Sequence, residues 1–187
     1  IFVSHNMPMV SRICNKIILM DRGESKFQGD NVSKAVDLYY TRFASNDTSI
    51  IFTDNTIDLK KIDVLTESSI EGVKCLEWGE NLDIQVEFDA HHDNIKSLGC
   101  AIIILDKEQR PVASIRNTCI KLCDSHNYHL IFKHHKIQLS KGTYSINIVF
   151  TLNSSPAYRA NGVINFQIIH EIDSWEPMFL DAETHYL

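Results

Sequence analysis

Residues 81–90 read Asn81-Leu82-Asp83-Ile84-Gln85-Val86-Glu87-Phe88-Asp89-Ala90, an unbroken alternation of apolar and polar side chains. Successive side chains of a strand point to opposite faces. Leu82, Ile84, Val86 and Phe88 therefore make one apolar face, and Asp83, Gln85, Glu87 and Asp89 make a polar one. The same period returns downstream. Tyr144, Ile146, Ile148 and Phe150 oppose Thr143, Ser145, Asn147 and Thr151, and Ile164, Phe166 and Ile168 oppose Asn165 and Gln167. Residues 98–105 are almost wholly apolar, as expected of a central strand covered on both faces.

Strands are expected at 56–65, 81–90, 98–105, 111–116, 129–139, 143–152 and 163–170. Turn signals separate several of them: Asp106-Lys107-Glu108-Gln109, Lys141-Gly142, and the stretch from Asn153 to Gly162. Short strands at this spacing predict a mainly β fold, an immunoglobulin-like antiparallel β-sandwich. Tyr144, just after Lys141-Gly142, stands where such sandwiches carry a tyrosine corner.

Residues 1–43 follow a different grammar. Ile1–Ser4 reads as a strand, Met7–Cys14 as a helix with Pro8 near its start, Lys16–Met20 as an apolar strand closed by Asp21-Arg22-Gly23, and Lys26–Gln28 as a short strand. Asp30 or Asn31 can cap a helix that runs to about Phe43. Ala44–Asp54 is polar and reads as an irregular linker. The expected organisation is an incomplete α/β segment at 1–43, a linker at 44–54, and a β-sandwich with a C-terminal tail at 55–187. Opening on Ile1, the chain is expected to be a piece of a longer protein.

Bulk properties narrow the function classes. The chain has 187 residues, 44% of them hydrophobic, and a net charge of -6. That charge argues against a nucleic-acid partner, which demands a basic patch. Cys14, Cys75, Cys100, Cys119 and Cys123 show no zinc spacing, so reduced thiols and no metal site are expected. His91-His92 and His134-His135 are adjacent pairs, and neighbours on a strand point apart. No G-x-S-x-G motif marks a hydrolase.

Val3-Ser4-His5-Asn6 resembles the H-loop of ABC ATPases, and the run through Ile17-Ile18-Leu19-Met20-Asp21-Arg22-Gly23 to Tyr39-Tyr40 resembles the end of that domain. This resemblance makes His5 the γ-phosphate switch residue, catalytic only in a full ATPase. The chain lacks G-x-x-x-x-G-K-[ST], a Walker B strand and a signature motif. No cofactor is therefore expected here, and Mg-ATP belongs to the full-length subunit. Trp78-Gly79-Glu80 leading into Leu82–Phe88, and Lys141-Gly142-Thr143-Tyr144-Ser145-Ile146, extend the likeness to the Wzt-type family of O-antigen (lipopolysaccharide) polysaccharide exporters. The resemblance implies a cytoplasmic location peripheral to the inner membrane, a membrane permease partner, and a homodimer formed through the β-sandwich. It also implies recognition of the non-reducing end of the undecaprenyl-linked polysaccharide before export. The alternative is a dimerisation or regulatory domain that binds no sugar.

Sugar sites combine hydrogen-bonding side chains with an aromatic platform. The carboxylate row of 81–90 reads as a solvated face. The strands at 143–152 and 163–170 are expected to be neighbours. Their outward Ser145, Asn147, Asn165 and Gln167 would form a surface suited to a neutral glycan, with Arg116, Tyr158 and Arg159 on its rim. Trp78 reads as a core lid or a platform. The tail with Trp175 either folds back on the sandwich or crosses to a second protomer.

Overall fold

A computed structural model of the chain describes residues 1–4, 10, 13–21, 23–32, 34–35, 38–39, 49–70, 72–91, 95–123, 125–172, 174 and 176–182. The chain divides into two compact units, Ile1–Asn46 and Asp47–Leu187.

In the first unit, β1 (Ile17–Asp21) and β2 (Glu24–Gly29) form an antiparallel hairpin turned by Gly23 at φ 84°. Described residues between 32 and 39 are helical. Asn31 caps them, its Oδ1 accepting the Lys34 N–H at 3.0 Å. Ile1–Ser4, expected as a strand, forms no ladder among the described residues, and Ile1, Phe2 and Val3 are exposed. A strand exists only through a neighbour that takes its N–H and C=O groups. A hollow of about 1170 Å³ in this unit is lined mainly by apolar side chains, among them Phe2, Val10, Ile17 and Leu19.

The second unit is a β-sandwich. Its small sheet has the order β10 (Asn127–His134), β7 (Leu82–Ala90), β4 (Ile57–Val64), all antiparallel. Its large sheet runs β5 (Ser69–Ile70), β6 (Val73–Glu77), β12 (Ser155–Ile169), β11 (Gly142–Leu152), β8 (Leu98–Leu105), β9 (Pro111–Asn117), with β3 (Ser49–Thr53) on β12. One pair, β6 with β12, is parallel within this otherwise antiparallel sandwich.

The apolar faces read from the sequence meet between the sheets. Leu82, Ile84, Val86 and Phe88 of β7 are buried against Ile102 and Ile104 of β8 and Ile146, Ile148 and Phe150 of β11. The Phe88 ring lies 4.4 Å from Phe150 across the sheets and stacks on Tyr128 at 4.9 Å. Tyr144 closes the end of this core. Its hydroxyl donates to the Ser140 carbonyl at 2.6 Å, the geometry of a tyrosine corner. Burial, with a smaller contribution from Asp106, pushes its phenol up to about 12.

Two expectations need correction. Residues 49–53, expected as irregular linker, form β3, because β12 offers them an open edge. Residues 153–162, expected as a long turn, are mostly strand. Asn153 and Ser154 take φ 49° and 67°, and β12 starts at Ser155. Two successive positive-φ residues make the tight hairpin turn whose twist matches the flanking strands.

The tail folds back within its own chain. Leu139 bridges Met178, Phe179 N–H donates to the Gln138 carbonyl at 2.9 Å, and Ser140 N–H donates to the Pro177 carbonyl at 3.1 Å.

Candidate functional site

Register brings four expected residues onto the outer side of the large sheet. Ser145 lies opposite Asn165, and Thr143 lies opposite Gln167. Asn147, two residues beyond Ser145, faces the same way. Ser145 and Asn147 are tied into the sheet itself. Each is 6% exposed. The Ser145 hydroxyl accepts from Gln109 Nε2 at 3.3 Å, and Asn147 Oδ1 accepts the Gly162 N–H at 2.9 Å. The second bond has a clear cause. Ile146 pairs with Ile164 while Ile148 pairs with Ala160, so β12 bulges opposite Asn147, with Gly162 at φ 60°. Asn147 pins that bulge. Asn165 and Gln167 are half-buried and reachable.

Arg116 and Arg159, expected on the rim, share one row across the sheet. Arg116 lies opposite Ala101, Ala101 opposite Val149, Val149 opposite Arg159, and Arg159 opposite Phe52. Both arginines are exposed. Arg116 Nε donates to Ser114 Oγ at 2.9 Å.

Tyr158 is a correction. It pairs with Phe150 and faces the core, 5% exposed, its ring edge-on to Phe150 at 6.1 Å. As the neighbour of outward Arg159 it must point inward. Burial raises its phenol, and Asp58 adds to the effect. His5 and Trp175 lie outside the described residues.

Phe52 is a candidate the sequence reading passed over, since its strand was expected to be linker. It is 45% exposed, beside Arg159. The apolar run Ile50-Ile51-Phe52 inside a polar stretch was the available signal. Trp78, by contrast, is a lid. It packs on the core, its Nε1 donates to the Phe179 carbonyl at 2.8 Å, and its ring contacts His170 at 5.1 Å and Phe179 at 5.5 Å.

The outer face of the small sheet is charged, as expected. Lys61 and His129 flank Glu87, and Lys133 lies opposite Asp83. Strand pairing also creates a cluster that no sequence spacing announced. Asp58, Asp89 and His91 offer ligand atoms within 4.8 Å of one another. Lys60 bonds Asp58 and reaches Asp89 at 3.4 Å, so an ammonium already supplies the positive charge there. The Asn127 amide, and then Lys60, hold the Asp89 carboxyl below the usual carboxylate range.

No family model matches the sequence, and no curated protein matches it. Among solved structures, the C-terminal domain of wzt superposes with a TM-score of 0.64 at 12% identity, over 81% of this chain and 96% of that chain. At that identity the likeness is one of fold, and it places the β-sandwich among domains of that architecture. A weaker match is the Pseudomonas fluorescens alkylpurine DNA glycosylase AlkC bound to DNA containing an abasic site analog. It reaches a TM-score of 0.36 at 8% identity over 60% of this chain and 30% of that one, too low to argue from.

Proposed function

We propose that the sandwich is a glycan-recognition module and that the outer face of the large sheet is its binding surface. The reading extends to the ATP-binding subunit of an O-antigen polysaccharide exporter, on the resemblance of residues 1–43 to the end of an ABC ATPase and of Trp78–Phe88 and Lys141–Ile146 to the Wzt-type family. One observation carries the glycan part: β11 and β12 line up hydroxyl and amide side chains on this face and contribute no carboxylate to it. Hydroxyls and amides both donate and accept, which suits the paired donor and acceptor character of sugar hydroxyls.

Asn165 and Gln167 are the half-buried amides that would meet a sugar, while Ser145 and Asn147 hold the surface in shape. An array of bacterial O-polysaccharides should yield one bound repeat structure. Asn165→Ala and Gln167→Ala should each weaken that binding about fivefold or more by calorimetry, the effect of one lost hydrogen bond. Binding to no glycan, or undiminished binding by both variants, would remove this surface from consideration.

A second reading is a domain that tethers two subunits without sugar. It draws on Ile50, Ile51 and Phe52, which are 56%, 55% and 45% exposed on β3. Sedimentation of Ile51→Lys separates the readings: a tether dissociates and a sugar module keeps its glycan.

A further inference from the structure

Charge is distributed unequally between the two sheets. The small sheet carries Asp58, Asp63, Asp83, Glu87 and Asp89 beside Lys60, Lys61 and Lys133, and in the large sheet the short β6 carries Lys74 and Glu77. The strands β3, β8, β9, β11 and β12 of the large sheet contain no Asp, Glu or Lys. Their two charged residues are Arg116 and Arg159, in a chain that holds 24 acidic residues. Register sets both in one row on one face. Among the described residues neither guanidinium meets a carboxylate.

The ground between them is low. Arg116 and Arg159 stand three strand spacings apart, about 14 Å between Cα atoms. Ala101 and Val149 fill the two positions between, and Gly99 and Thr151 form the next row. The glycine is enforced from this side, since a Cβ at residue 99 would stand 2.7 Å from Thr151 Oγ1. Two long cationic side chains therefore flank a floor of small residues, Arg116 bonded along its own strand to Ser114 and the exposed Phe52 lying on the far side of Arg159.

We propose that this row takes an acidic sugar, its carboxylate or phosphate held at Arg159 with Arg116 reaching in across the floor, and its ring laid over Arg159 toward Phe52. The inference rests on the reading of this face as a glycan surface and changes the ligand class from neutral to anionic. Guanidinium groups bind carboxylate and phosphate through paired charge-assisted hydrogen bonds. An aromatic face takes the apolar C–H side of a sugar ring. The neutral amides Asn165 and Gln167 lie farther along the sheet and would serve the following residues of the same polymer.

The test titrates the full chain with glucuronic acid, glucose 6-phosphate, methyl glucoside and inorganic phosphate, followed by chemical-shift changes, alongside the O-polysaccharide array. Glucuronic acid or glucose 6-phosphate should bind at least about tenfold more tightly than methyl glucoside. Arg116→Gln and Arg159→Gln should each abolish that advantage, and Phe52→Ala should weaken the acidic sugars without touching inorganic phosphate. Equal binding of methyl glucoside, or an unchanged preference in both arginine variants, overturns the proposal. Inorganic phosphate matching glucose 6-phosphate, with no effect of Phe52→Ala, overturns it as well. Binding of a neutral O-polysaccharide that depends on Gln167 but not on the arginines would leave the glycan reading standing and remove this one.

Discussion

The buried Tyr144 hydroxyl donates a hydrogen bond to the Ser140 carbonyl, and that arrangement has a pH signature. Its phenol, ordinarily near 10.0, is pushed up to about 12 in the folded chain. The folded state thus keeps a proton that the unfolded chain releases first, so this stability is whole below pH 10 and fades as pH rises toward 12. Tyr144→Phe should cost about 1–2 kcal/mol at neutral pH by orphaning the Ser140 carbonyl, and should flatten the alkaline decline measured by urea titration. The buried Cys100 thiol, also pushed up to about 12 by desolvation, and buried Cys75 should resist alkylation, while exposed Cys119 labels within minutes. Mass spectrometry reads the difference; early labelling of Cys100 would contradict the packing. At this scale alternation told much of the story. It put Ser145, Asn147, Asn165 and Gln167 on one face, where register leaves them. It also implied that Tyr158 and Arg159, as neighbours, cannot share a face, and a site drawn from both was bound to lose one.

Elements were legible where a periodic run was long, and obscure where the chain used an uncommon device. Strands β7, β8 and β11 lie close to their expected spans because each buries a complete apolar face. The opening half of β12 was hidden. Its turn is Asn153-Ser154 rather than a glycine pair, and the Gly162 bulge breaks its period. β3 was hidden because five residues without charge carry little pattern. The outcome depends on the edge of β12 that receives them. The bulge gives a prediction at this scale. Asn147→Ala leaves the Gly162 N–H without its acceptor and should lower stability by about 1–2 kcal/mol, and Asn147→Asp should retain most of it. Equal losses in the two variants, read by denaturant unfolding, would show that the bond to Gly162 does not matter.

At the scale of the sandwich, the two sheets share one core and divide the charge. The small sheet keeps most of the sandwich's strand carboxylates, and β3, β8, β9, β11 and β12 of the large sheet keep two arginines as their only charged residues. Such a division is invisible in a net charge of -6, which averages both sides. It emerges only when pairing sorts strands into sheets. The tail shows the same limit. Its apolar residues announced a docking surface, and the fold supplied Gln138–Ser140 and the Trp78 ring to receive it. In a Trp175→Phe background, Phe179→Ala should shift Trp78 emission to the red and cost about 2–4 kcal/mol. An unshifted spectrum would mean that the tail does not cover the indole.

The turn at Asn153-Ser154 has one more consequence, for the order in which the chain assembles. It joins the two longest strands of the sandwich through two residues, so their ladder closes with almost no loop entropy, whereas the small sheet must wait for partners distant in sequence. The β11–β12 hairpin is therefore expected to form in the rate-limiting step of folding. Asn153→Ala should slow refolding and leave the unfolding rate nearly unchanged in stopped-flow measurements, and the reverse pattern would place the nucleus elsewhere.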